Sequence, residues 1–353
     1  MTLQSPVTQT LYAQLQEEAS VFNAIIFEQG VAGSAYLNHA NGHAYWYWQV
    51  TEPDGKLRRL SLGRDTPETR ALVERLKARK EEASEAIAAL KSTTRAFVAS
   101  GGMSMEAAHF RVMEHLARAG LFRKGLVLVG SHAFTALGNL LGLRWGSQLK
   151  TSDMDFARAL GISLALPGNA EPLDVLAAAQ ELDPTFFAVP QLDHRQPSTA
   201  IISRKTRIKL DFLTTHAAKE TDSPRHFPDL GIAATPLRYM DYLLGGDNRR
   251  GLVVGSYAFP INLPDPARFA IHKLVIAQAR RSESEAKSQK DIRQADELLA
   301  GLLELGLEDE TATALDALPA AGYPAALALV RRSQQRLEQS RDWLGQQLDR
   351  LAA

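Results

Sequence analysis

Cysteine is absent from this 353-residue chain, which excludes disulfides and thiolate-held metals outright. Net charge is absent as well. Forty basic side chains balance forty acidic ones, so any attraction to nucleic acid or a membrane surface has to come from local patches. No apolar run reaches the roughly 18 residues that a membrane-spanning helix needs. The opening MTLQSPVTQTLYAQLQEEAS lacks the basic-then-apolar order of a secretory signal. There is no HExxH pair and no GxSxG elbow, and His39, His43, His194 and His216 are scattered. Gly130 to Gly138 lacks both the Lys-Ser/Thr of a phosphate-binding P-loop and the dinucleotide fingerprint, which argues against P-loop hydrolysis and hydride transfer. What remains is an ordinary soluble composition, 45% hydrophobic and 23% charged, and the expectation is a cytoplasmic protein.

The length suggests two or three domains at roughly 100–200 residues each. Residues 5–20 carry helical apolar spacing. Residues 34–63, with Tyr45-Trp46-Tyr47-Trp48 and an Asp54-Gly55 turn, read as a β-hairpin. Thr66-Pro67-Glu68 opens a long helix to about residue 98, Gly101-Gly102 ends it, and a further helix covers 104–119. From residue 125 the pattern turns α/β: strand 125–130, helix 132–142, strand 152–158, helix 171–181, strand 185–189. Two more strands, 199–203 and 207–213, flank the short basic link Arg204-Lys205-Thr206. Past residue 260 the periodicity predicts helices over 264–280, 285–304, 307–317 and 322–350, the last with Leu337, Trp343, Leu344, Leu348 and Leu351 at helical spacing. The expected organisation is an N-terminal helical and hairpin region (1–120), a mixed-sheet α/β (α+β) core (121–260) and a C-terminal helical domain (261–353).

Two aspartates one residue apart, Asp153 and Asp155, follow the apolar strand and its Gly130-Ser131 turn. In a strand, residues two apart share a face. Adjacent carboxylates repel and raise each other's pKa unless a cation sits between them. A divalent ion such as Mg²⁺ takes hard oxygen ligands and keeps positions open for phosphates. Asp211 is a third acid in the otherwise apolar or basic strand RIKLDFLT. If that strand lies beside the first, the acids meet and could hold two metals for in-line attack on phosphorus. Taken singly, each acid is equally a solvated strand-end residue, and a Gly-Ser turn alone is a common feature.

As a set, Gly130-Ser131, Thr151-Ser152-Asp153-Met154-Asp155-Phe156 and Asp211 resemble the signature of the DNA polymerase beta-like nucleotidyltransferase superfamily. The resemblance implies a nucleotidyltransferase-like sheet core. By the same resemblance, Gly130 and Ser131 contact a triphosphate, Asp153 and Asp155 hold Mg²⁺ (two ions, with Mn²⁺ as substitute), and Asp211 is a third ligand or base. Lys273 and Asp291 resemble a lysine-then-aspartate pattern in abortive-infection and toxin-type nucleotidyltransferases, which places both at the nucleotide. The chain departs from the superfamily in its longer Ser131-to-Asp153 spacing, where GNLLGLRWGSQLK calls for a longer helix plus loop. The other reading of Lys273, with Arg280-Arg281, is an exposed basic face. The implied reaction moves a nucleoside monophosphate from an NTP to an acceptor hydroxyl. The expected acceptor is RNA, such as a tRNA end, with a protein side chain or a small alcohol open as alternatives. The alternative is an inactive relative that binds nucleotide or nucleic acid as a regulator.

The aromatic hairpin with Lys56, Arg58 and Arg59 has the composition of a nucleic-acid surface. It is also what a structural hairpin docked on the long helix would look like.

Overall fold

The computed structural model describes residues 1–29, 33–40, 42–51, 57–146, 151–160, 172–216, 223–279 and 285–352. At its centre is a seven-stranded mixed sheet. Val127–Val129, apolar and buried on both faces, pairs antiparallel with Asp153–Arg158, which pairs in parallel with Lys209–Thr215. The far edge of Lys209–Thr215 is shared. Its first residues pair antiparallel with Ala200–Ser203, and its last pair in parallel with Ile232–Leu237. Phe186–Ala188 and Arg225–Phe227 complete the sheet. The link Arg204-Lys205-Thr206 is the hairpin turn expected from sequence, with Arg207 in the left-handed region at φ 62°.

The period of two decides which residues meet. Met154 and Phe156 on one strand, and Leu210 and Phe212 on the next, alternate inward and are buried. The Phe156 and Phe212 rings, direct cross-strand partners, stack at 5.8 Å between centroids. That stack fixes the register, because a slip of one residue would move every apolar side chain to the wrong face.

Helices cover the rest of the sheet. Pro67–Ala99 starts as expected: Thr66 accepts a hydrogen bond from the Thr69 amide at 3.3 Å and Pro67 sits in the first turn. It packs along Pro6–Gln29, whose Tyr12 hydroxyl accepts from the Leu252 amide at 3.2 Å. That bond ties the N-terminal helix to the hairpin Arg249–Val254/Ala258–Leu263, which the sequence pattern did not reveal. One apolar cluster runs from Tyr12 through the sheet to Leu348 in the last helix.

Three sequence expectations need correction. The 34–63 region is a three-stranded antiparallel sheet, Ser34–Ala40, His43–Thr51 and Leu57–Arg64, not a single hairpin; Asp54-Gly55 and Lys56 lie outside the described residues. The segment after Ser131 is not a lengthened helix. The helix Gly130–Leu140 ends on time, and Leu143-Arg144 pairs with Thr2-Leu3. Trp145 then folds back, stacking on Phe134 at 4.3 Å and donating from its indole to the Phe134 carbonyl at 2.7 Å. The last helix is two, Ala326–Gln334 and Arg341–Ala352. The buried Asp296 carboxylate separates them by accepting from the amides of Glu338, Gln339 and Ser340 and from the Ser340 hydroxyl. An acceptor offered from another helix satisfies amides that would otherwise demand helical partners.

Candidate active site

The strand face opposite the phenylalanine stack carries Asp153 and Asp155 on one strand, and Lys209 and Asp211 on its parallel neighbour. Asp155 is the register partner of Asp211, and Asp153 of Lys209. The Lys209 ammonium is 2.7 Å from Asp211 Oδ1, and the Ser152 hydroxyl donates to Asp153 Oδ1 at 3.2 Å. Burial pushes the Asp155 carboxyl up to about 6, and the neighbouring Asp211 and Asp153 charges add to that. Lys273 and Lys209 pull the other way. Asp155 therefore senses the charge of both other acids. Among the described residues, however, no three acid or histidine side chains converge as a ready-made ligand set, and Asp211 is engaged with Lys209.

Val129 pairs with Asp155, which brings the Gly130 turn against that carboxylate. Gly130 sits at φ +69°, and a Cβ there would stand 2.0 Å from Asp155 Oδ2. Only glycine tolerates both the left-handed backbone and the contact. From it starts an eleven-residue helix with no side-chain cap, leaving first-turn amides available to an anion. Ser131 is the second residue of that helix.

The facing wall comes from the helices Pro266–Ala279 and Glu285–Glu304, which pack along each other. Lys273 is 4% exposed, so it is no part of a solvated basic face; Arg280-Arg281 lie outside the described residues. Its ammonium donates to Asp291 Oδ1 at 2.8 Å and lies 5.0 Å from the centre of the Phe269 ring. Between this wall and the acids is a cleft of about 510 Å³. Gly130, Ser131, Asp153, Asp155, Lys273 and Asp291 all line it, whereas Asp211 stands just behind, beside Asp155.

The cleft also holds residues that the sequence did not single out. Lys290 is half-buried, and its ammonium is held below the ordinary lysine range by burial and by Lys273, against the pull of Asp291, Asp155 and Asp153. Arg238 and Tyr239 line the cleft at a backbone kink, Tyr239 holding φ 70° without being glycine. The only signal in the sequence was the adjacency of Lys290 to Asp291.

A family model described as nucleotidyltransferase matches residues 107–319. The chain belongs to the nucleotidyltransferase family. The matched span of this nucleotidyltransferase begins with the helix Ala107–Arg118 and ends in Glu308–Ala320, so it contains the whole sheet, the acids and both walls of the cleft. The family makes a nucleotide the substrate and nucleotidyl transfer the reaction class. The three-stranded sheet and the long helix Pro67–Ala99 lie outside the match. No curated protein and no solved structure matches the chain. Among the described residues, no helix is long and apolar enough to cross a membrane.

Proposed function

We propose that the cleft binds an NTP and transfers its nucleoside monophosphate to an acceptor hydroxyl in a divalent-metal-dependent reaction. The observation that carries this reading is the ledge itself: Asp153 and Asp155 on one face, and Asp211 in register with Asp155, beside an uncapped helix start at Gly130. The ledge fits a divalent cation. Its donors are hard carboxylate oxygens, and Asp155, raised by burial and by the Asp211 and Asp153 charges, would be eased by a further cation. Asp153 and Asp155 would hold Mg²⁺ or Mn²⁺, two ions once Asp211 exchanges Lys209 for metal. The cation supplies charge neutralisation and alignment for phosphoryl transfer.

The chain's own residues do the remaining work. The amides around Gly130 and Ser131 receive the phosphates, and Lys290 with Lys273 offsets their charge from the facing wall. The acceptor oxygen bonds to the α-phosphorus, the bond from that phosphorus to the β-bridging oxygen breaks, and pyrophosphate leaves. Asp211 takes the hydroxyl proton. Asp291 holds the Lys273 ammonium in place.

RNA is the acceptor that the N-terminal sheet favours. Trp46 and Trp48 turn toward the chain: Trp48 is buried, and the Trp46 indole donates to Asp65 at 2.8 Å. The opposite face presents Tyr36, Tyr45 and Tyr47, with the Arg59 guanidinium 5.3 Å from the Tyr36 ring and that of Arg64 5.9 Å from the Tyr45 ring. The sheet is therefore both docked and open, which joins the two readings of its sequence. An exposed Tyr36 with the partly exposed Tyr45 and Tyr47, set beside arginines, makes a stacking platform for single-stranded nucleic acid. A tRNA end, an ATP preference and a toxin or defence role are narrower forms of this reading.

Calorimetry with each NTP tests the first step. Binding that requires Mg²⁺ or Mn²⁺ and disappears in Asp153→Ala supports the reading. Equal binding in both proteins without metal contradicts it.

A further inference from the structure

A second cavity, of about 550 Å³, meets the first at Ser131 and Thr151, which line both. It opens on the other side of the helix Gly130–Leu140, toward the helix Ala107–Arg118 and the strand Arg249–Val254. Its lining is apolar and aromatic in part, with the stacked pair Phe134 and Trp145. Three of its polar side chains carry buried atoms without a hydrogen bond among the described residues: both ring nitrogens of His109, Nε2 of His132 and Oε1 of Gln294. Of these, His109 Nδ1 has the Glu106 carboxylate at 3.7 Å. His109 is 6% exposed and Gln294 2%. The two imidazoles lie 5.1 Å apart, centre to centre. Buried polar atoms are normally satisfied, so three such side chains lining one cavity indicate a ligand that supplies the missing partners.

The lining also limits what that ligand is. Among its described lining residues, Glu106 at the rim, its side chain 66% exposed, is the one carboxylate, and none is lysine or arginine. Burial holds His132 down to about 3, so it is an uncharged ring with one donor and one acceptor. No described lining residue offers a phosphate a fixed cation; the ammonium that His132 senses, Lys290, belongs to the neighbouring cleft. An uncharged planar ring with donors and acceptors on its edge, of nucleoside size, suits both the volume and the unpaired atoms. The junction at Ser131 and Thr151 lets a sugar hydroxyl attached to that ring face the carboxylates.

We propose that this second cavity is the acceptor pocket and binds an uncharged nucleoside group, with Gln294 and His109 reading its base edge. This rests on the nucleotidyl-transfer reading for its role, but not for its binding. The ring arrives either as a free nucleoside or as the 3′-terminal residue of a polynucleotide. In either case its hydroxyl oxygen attacks the α-phosphorus, pyrophosphate leaves, and the proton passes to Asp211.

The test is equilibrium dialysis of the full chain with radiolabelled adenosine, guanosine, cytidine and uridine, and with a ten-residue oligoribonucleotide bearing a free 3′-hydroxyl. It is run on the unsubstituted chain, Gln294→Leu, His109→Phe and Asp153→Ala. Both variants replace buried polar atoms lacking a hydrogen bond by apolar groups of similar shape, and thermal melting checks that they stay folded. The expected result is binding of at least one probe that weakens tenfold or more in Gln294→Leu and His109→Phe, and persists in Asp153→Ala. Displacement of the nucleoside by the oligonucleotide assigns the pocket to a polynucleotide end; no displacement assigns it to a free nucleoside. Binding that is unchanged in both folded cavity variants, or no binding of any probe, overturns the proposal. Persistence in Asp153→Ala separates this outcome from failure of the transfer reading, which would abolish metal-dependent NTP binding instead.

Discussion

Asp155 and Asp211 stand opposite each other as register partners on two parallel strands, with a lysine, not solvent, holding Asp211. Their neighbours across the pleat, Phe156 and Phe212, are partners too. The same alternation that buries two rings therefore places two carboxylates on the open face. The apolar packing sets the geometry, and the chemistry uses the repulsion it leaves behind.

Burying Asp155 beside two other acids has a measurable cost. The Asp155 carboxyl rises from 3.8 to about 6 on folding. A raised folded pKa means that the folded chain binds the proton more tightly, so stability falls as pH climbs from about 4 to 6 and stays lower above. Two pKa units correspond to about 3 kcal/mol. Asp155→Asn is expected to raise urea stability at pH 8 by up to that amount, to leave it unchanged at pH 3.5, and to abolish transfer. Paired urea melts at the two pH values check this. Without metal, equal stability of the two proteins at pH 8 would contradict it.

Gly130 is expected to resist substitution on two counts. Alanine at φ +69° costs about 1–2 kcal/mol, and its Cβ would collide with the Asp155 carboxylate. The expected outcome for Gly130→Ala is a folded protein, a few degrees less stable, that has lost metal-dependent NTP binding. Thermal melting and calorimetry on one preparation measure both.

The buried Lys273–Asp291 pair predicts a non-additive cycle. Lys273→Met removes the ammonium 2.8 Å from the buried Asp291 carboxylate and is expected to lower stability by about 3–5 kcal/mol. The double variant Lys273→Met/Asp291→Leu should recover most of that stability but none of the nucleotide affinity. Chemical denaturation of the four proteins gives the coupling, and calorimetry separates packing from phosphate binding.

On the N-terminal sheet, Tyr36→Ala is expected to weaken RNA binding by about 1–3 kcal/mol, the range for one stacked base. Arg59→Ala should reduce the salt dependence of binding by about one phosphate contact. Neither should change NTP affinity. Filter binding across a salt series reads both effects.

Much of this was legible in the sequence because it depends on short periods. The D-x-D parity, the strand from Val127, the Thr66-Pro67 helix start and the Arg204–Thr206 turn all rest on neighbours within a few positions. What escaped depends on distant partners. The hairpin Arg249–Val254/Ala258–Leu263 draws its stability from Tyr12 and the core, and the break after Gln334 from Asp296 on another helix. Nothing in the sequence but its place before Asp291 sets Lys290 apart, and its half-buried place near the acids follows only from how two C-terminal helices pack. The second cavity was invisible for the same reason: His109, His132 and Gln294 come from three separate helices.

The most direct test of the account is incubation of the purified chain with each α-³²P-labelled NTP, Mg²⁺ and total cellular RNA, with Asp153→Ala alongside. The account predicts label in an RNA band with at least one NTP, pyrophosphate released in equal amount, and neither in the variant. Label that persists in Asp153→Ala, or NTP consumption without transfer to any acceptor, would contradict it.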